Sequence, residues 1–144
     1  MIICTIGFSK KNLKQFITAL KKADVGKVID VRLNNTSQLA GYAKKQDLEY
    51  VLSLVGIAYE HHPELAPTEE IMKGYKQKKI TWAQFEDEFK KVLESREPLN
   101  SIDFNKEAGP VCLLCAEDRP GQCHRTLVAE YYSEKVPGVE IRHL

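Results

Sequence analysis

Short apolar runs that alternate with helix-patterned segments constrain the fold of this chain more than any other feature. Ile2 to Ile6 is rich in β-branched residues and stops at Gly7, Lys27 to Val31 ends on Asp30-Val31-Arg32, and Ile57 to Glu60 runs into His61-His62-Pro63-Glu64. Val111 to Leu114 is wholly apolar, and Val139 to Arg142 follows the turn signal Pro137-Gly138. Each reads as a strand. Between them, Leu13, Phe16, Ile17 and Leu20 fall at the spacing of one buried helical stripe, with Ser9 placed to cap the helix and lysines on its other face. Leu48, Val51, Leu52 and Val55 mark a second helix, closed by Gly56. Thr126 to Tyr132 continues as a last helix with Leu127, Val128 and Tyr131 on one face. The alternation implies an α/β fold: a mainly parallel sheet of about five strands, right-handed crossovers, and helices on both faces.

Residues 65–99 depart from that alternation and read as helices alone, a helical insertion over about residues 66–95. Thr68 before Glu69 and Glu70 is one helix start, and Thr81 with Gln84 is a capping box before another. Trp82, Phe85 and Phe89 lie at helical spacing and are expected in the core or on a helix-packing face. At 144 residues the chain is expected to form a single domain over 1–144. The polar, glycine-containing stretch from Leu33 to Lys44 is a loop long enough to suggest function or mobility.

In open parallel sheets the ligand crevice lies at the carboxyl ends of the strands. The residues expected there are Gly7 and Ser9, then Asp30 and Arg32, then His61, His62 and Glu64, then Cys115 and Glu117. Cys123, His124 and Arg125 join them at the start of the last helix, and Arg119 lies in the turn between. Cationic side chains and free backbone N–H groups around a thiol suit an anion such as phosphate. Cys115, Glu117, Cys123 and His124 are the expected catalytic set, and Gly7, Ser9, Asp30, Arg32, Arg119 and Arg125 the expected substrate contacts. Asp30 and Arg32 also admit the plainer reading of an ion pair at a strand end. Of the two thiols, Cys123 is ranked as the thiolate because it falls in the first turn of a helix, with Cys115 as its neighbour.

Thr5-Ile6-Gly7-Phe8-Ser9, Asp30-Val31-Arg32, Gly56-Ile57-Ala58-Tyr59 leading to Pro63-Glu64-Leu65, and Cys115-x-Glu117-x-x-Pro120-x-x-Cys123-His124-Arg125 together resemble the family called domain of unknown function 488. The resemblance covers most of the chain and implies an α/β fold and no defined activity. Phe8 stands where that family often has histidine, and the loop after Arg32 lacks a proline often found there.

Three chemistries fit the cysteines. A zinc site from Cys112, Cys115, Cys123 and His124 is disfavoured, since Cys112 and Cys115 lie at an odd separation on a strand and point to opposite faces. A redox pair of Cys115 and Cys123 lacks the two-residue spacing of thioredoxin-like motifs. A reactive thiolate has the logic of cysteine-phosphatase and rhodanese loops, although a cysteine-x5-arginine signature would need arginine at Gly121. No metal is expected and no cofactor is implied, there being no dinucleotide fingerprint or Walker loop. With 21 basic and 20 acidic side chains the net charge is +1, which gives the whole chain no bias toward nucleic acid or membrane. No signal-peptide pattern or membrane-length apolar run is present, so a cytoplasmic protein with reduced thiols is expected. The leading reading is a small enzyme, a hydrolase or transferase, acting on a phosphorylated or nucleotide-like substrate. The alternatives are a binding module for nucleotide or nucleic acid, using Arg32, Arg119, Arg125 and the lysines of the 41–45 loop, or a thiol redox sensor.

Overall fold

Val111–Cys115 (β4) has no charged or hydroxyl side chain, and such a strand is stable only where both faces are covered. It lies at the centre of a five-stranded, all-parallel sheet in the order β3-β2-β4-β1-β5, where β1 is Ile2–Gly7, β2 Lys27–Asp30, β3 Ala58–His61 and β5 Glu140–His143. This computed structural model describes residues 1–35, 41–117 and 120–144; residues 36–40 of the expected long loop, and Arg119, lie outside the described residues. Among those described, no helix is long and apolar enough to cross a membrane.

The strand period sorts β4 into two layers. Val111, Leu113 and Cys115 face one core, with Phe85, Phe89 and Leu93 of α4 (Trp82–Ser95) and Leu127, Val128 and Tyr132 of α5 (His124–Lys135). Cys112 and Leu114 face the other, with Phe16 and Leu20 of α1 (Leu13–Lys22) and Leu48 and Leu52 of α2 (Lys45–Leu54). Helices therefore cover both faces, and Cys112 is separated from Cys115 by the sheet. The helical segment comprises α3 (Glu69–Lys76), capped by Thr68, and α4, whose Thr81 and Gln84 form the expected capping box.

Two helix starts differ from the sequence reading. Asn12, not Ser9, caps α1: its side chain accepts from Gln15 N at 2.8 Å while Gln15 accepts from Asn12 N at 2.9 Å. Ser9 is held elsewhere, its N–H donating to the Ala116 carbonyl at 3.1 Å, so the chain leaving β1 follows the exit of β4 before it turns. Leu13, at the start of that helix, is exposed rather than buried. Cys123 is the N-cap of α5 rather than a member of its first turn, and Tyr132 rather than Tyr131 is the fully buried tyrosine of that helix.

Candidate functional site

Register places the carboxyl ends side by side: Gly7 opposite Cys115, Leu114 opposite Asp30, and Asp30 opposite His61. Beyond Cys115 the chain folds back over the end of β1. A Cβ on Gly7 would lie 1.4 Å from the Glu117 carbonyl oxygen, so only glycine admits the crossing. Phe8 N and Ser9 N donate to the Cys115 and Ala116 carbonyls, and Thr126 Oγ1 donates to Pro120 O at 2.7 Å. The motif turn is thereby tied down at both limbs.

Arg125 is the centre of this arrangement. It is 2 % exposed, and its Nη1 donates to the Glu117 carbonyl, to Cys115 Sγ at 3.1 Å and to Cys123 Sγ at 3.6 Å. Burial raises the Cys115 thiol, but the hydrogen bond from Cys123, the charges of His124 and Arg125 and the Arg125 hydrogen bond outweigh it and bring Cys115 down to about 6. Cys123 is pushed up, by its hydrogen bond to Cys115, by burial and by the Cys115 charge. These directions favour Cys115, where helix position alone had favoured Cys123. Helix position gave Cys123 the advantage, whereas the guanidinium folds back onto the strand end and sits closer to Cys115. His124 Nε2 donates to Val31 O at 2.7 Å, which leaves Nδ1 as the ring nitrogen not committed to the backbone, and the Phe89 ring meets the imidazole edge-on at 6.1 Å.

Asp30 and Arg32 lie next to this group, and of the two only Arg32 lines the cleft. Asp30 is completely buried, and its carboxylate accepts from Arg32 N, Nε and Nη2 at 3.1, 2.8 and 2.7 Å, from Tyr59 OH at 2.6 Å and from Asn35 Nδ2 at 3.3 Å. Burial alone would raise the Asp30 pKa, but the hydrogen bonds and charge of Arg32, with help from Tyr59, hold it below the usual carboxylate range. The ion-pair reading thus accounts for Asp30, whose oxygens are taken up within the protein. It does not exhaust Arg32. That residue is 4 % exposed, and its Nη1, on the edge of the guanidinium turned away from Asp30, is buried with no hydrogen-bond partner among the described residues.

Arg32, Cys115, Glu117, Cys123 and His124 line one cleft of about 860 Å³. Its far side comes from the helical segment and was not foreseen: Tyr75, Trp82 and Phe85 form an aromatic wall, and Lys73, Lys76 and Lys78 are also among its lining residues. Trp82 stacks on Phe85 with centroids 4.8 Å apart, and Tyr75 tilts against both. The helical spacing of Trp82 and Phe85 foretold a buried face but not that a ligand-sized space lies beside it. Gly7 and Arg125, expected as substrate contacts, do not line the cleft; Arg125 meets it through its bonds to Cys115 and Cys123. Ser9, His61, His62, Lys44 and Lys45 do not line the cleft. His61 Nε2 donates to Arg32 O, and His62 lies between Glu60 and Glu64 at 2.8 and 2.6 Å.

Residues 12–132 match the family model described as domain of unknown function DUF488. No curated protein and no solved structure gives a significant match.

Proposed function

The chain belongs to the DUF488 family, and we propose that within it this protein is a small cytoplasmic enzyme, a hydrolase or transferase, whose cleft takes a phosphorylated, nucleotide-like substrate. The observation that carries the reading is the position of Arg32. A guanidinium N–H buried without a partner costs about 1–3 kcal/mol, and this one belongs to a residue that lines the same cleft as two sulfurs and an imidazole. An oxyanion satisfies it, and Asp30 holds the fork rigid for that purpose. The aromatic wall of Tyr75, Trp82 and Phe85 offers a flat apolar surface for a base, and Lys73, Lys76 and Lys78 offer charge to further phosphate oxygens. On the floor, Cys115 and Cys123 with His124 Nδ1 supply the reacting groups, and the exposed Glu117 carboxylate is placed to move a proton.

The test is binding and turnover on one preparation. Calorimetric titration with inorganic phosphate and with mononucleotides is expected to give saturable binding that Arg32→Lys, which leaves Asp30 a cationic partner but removes Nη1, strongly weakens without loss of fold. Phosphomonoester and nucleotide substrates are expected to turn over, and Cys115→Ala to stop it. Absence of saturable binding by every anion would sink the reading. Binding without turnover would favour the non-catalytic module, for which the 1 % and 3 % exposure of Cys115 and Cys123 speaks, and single-stranded oligonucleotides would then be the next ligands to titrate.

A further inference from the structure

Cys115 Sγ, Cys123 Sγ and one imidazole nitrogen of His124 all lie within 4.8 Å of one another. In a tetrahedral zinc site, bonds of about 2.3 Å to sulfur and 2.0–2.1 Å to nitrogen set neighbouring donors roughly 3.5–3.8 Å apart. The three groups are therefore one small side-chain adjustment from a ligand set. We infer that they form an open, three-ligand site for a thiophilic divalent cation such as Zn²⁺, bound by the two sulfurs and His124 Nδ1, with its fourth position toward the cleft. The expectation that the chain holds no metal rested on Cys112, which lies across the sheet; the set described here does not need it.

Four further observations support the assignment. His124 Nε2 is committed to the Val31 carbonyl at 2.7 Å, and a ligating histidine is characteristically oriented by a hydrogen bond from its other nitrogen. Cys123 is the N-cap of α5, which holds its sulfur at the helix terminus beside Cys115. Arg125 Nη1, anchored on the Glu117 carbonyl, donates to both sulfurs, the kind of outer contact that steadies bound thiolates. Phe89 and Leu127 belong to the same apolar cluster as the sulfurs and keep bulk water from that side, while all three ligand residues line the cleft on the other.

Ligand type narrows the cation. Two thiolates and an imidazole suit zinc over magnesium or calcium, and three protein ligands with an open fourth position are the catalytic rather than the structural arrangement. A water in that position, lowered toward neutral pKa by the metal, would stand in the cleft beside Arg32 and within the compass of Glu117. This last step rests on the reading of the cleft as a substrate site; the ligation itself does not.

The experiment uses the full chain, freed of metal by a chelator and titrated with Co²⁺ and then Zn²⁺. One equivalent of Co²⁺ is expected to give a near-ultraviolet sulfur-to-cobalt charge-transfer band and intense tetrahedral visible bands, both displaced by Zn²⁺. Cys115→Ala, Cys123→Ala and His124→Asn are each expected to weaken binding by about a hundredfold or more, and Cys112→Ala to leave it unchanged, with far-ultraviolet dichroism reporting the fold of each. X-ray absorption of the wild-type zinc form, which needs no variant, is expected to show two sulfur neighbours. A cobalt spectrum without the charge-transfer band, a band that survives Cys115→Ala, or zinc surrounded only by nitrogen and oxygen would overturn the inference. Arg32→Lys, which keeps a cation beside Asp30, separates the two claims: it is expected to weaken phosphate binding strongly and leave the cobalt spectrum intact. Loss of the spectrum with nucleotide binding intact sinks the metal site alone, and the reverse sinks the substrate reading alone.

Discussion

The Glu117 carbonyl oxygen stands 1.4 Å from the point a Cβ would occupy on Gly7. Arg125 Nη1 lies 3.0 Å from the same point and donates to that carbonyl, so the crossing of two chains also positions the guanidinium that serves both sulfurs. Gly7→Ala must push the Glu117 limb away and break this contact. The expected result is a loss of about 1–3 kcal/mol in urea unfolding, with anion binding reduced further than the lost stability accounts for. Gly26→Ala, where the nearest atom is 4.0 Å away, is the matched control and is expected to fold and bind as the wild type does.

Asp30 makes stability depend on acid. Its folded pKa lies below that of an unfolded aspartate, about 3.9, so its contribution is complete above that value and is lost as pH falls through the folded one. Urea midpoints measured from pH 6 down to pH 2.5 should show this loss below about pH 4 in the wild type. Asp30→Asn should lack that part of the slope. At neutral pH the same variant leaves Arg32 buried without its counter-ion, and a destabilisation of about 3–5 kcal/mol is expected. A pH profile identical in wild type and variant would show that the pair does not titrate as the geometry implies.

The strands and the motif were legible in the sequence because they depend on local pattern. Val111 to Cys115 could be buried on both faces only in a parallel sheet, and the odd separation of Cys112 and Cys115 correctly put them in different layers. The start of α1 was not legible, since Ser9 and Asn12 are both good caps and the choice was made by a hydrogen bond between Ser9 N and Ala116, more than a hundred residues away. The order of the two thiols was illegible for the same reason. It depends first on the contact between the two sulfurs and then on which of them His124 and Arg125 approach, a matter of tertiary geometry rather than helix position.

Trp82 illustrates the remaining gap, because periodicity identifies an apolar face without saying what stands opposite it. If the wall binds a base, Trp82→Ala should weaken mononucleotide binding by about 1–3 kcal/mol and leave inorganic phosphate binding unchanged. Parallel titrations of the two ligands distinguish stacking from a general loss of the cleft. Equal weakening of both would remove the base-binding role from the wall.

In the metal-free protein, Cys115 is expected to be the first sulfur to react. Burial opposes its ionisation, but the hydrogen bond from Cys123 and the charges of His124 and Arg125 lower it to about 6, whereas Cys123 is raised by holding the shared proton. Cys4 and Cys112 are raised by burial in the opposite layer and are expected to stay unlabelled. Iodoacetamide labelling mapped by mass spectrometry across pH 5 to 9 should therefore show Cys115 half-reactive near pH 6, well under the ordinary thiol value of about 8.5. Cys123→Ala should move that midpoint upward, because it deletes the largest of the lowering contributions. Zn²⁺ should protect Cys115 in the wild type and not in His124→Asn. Preferential labelling of Cys123 would return the advantage to the helix terminus and remove the Cys123 hydrogen bond, with His124 and Arg125, as what lowers Cys115.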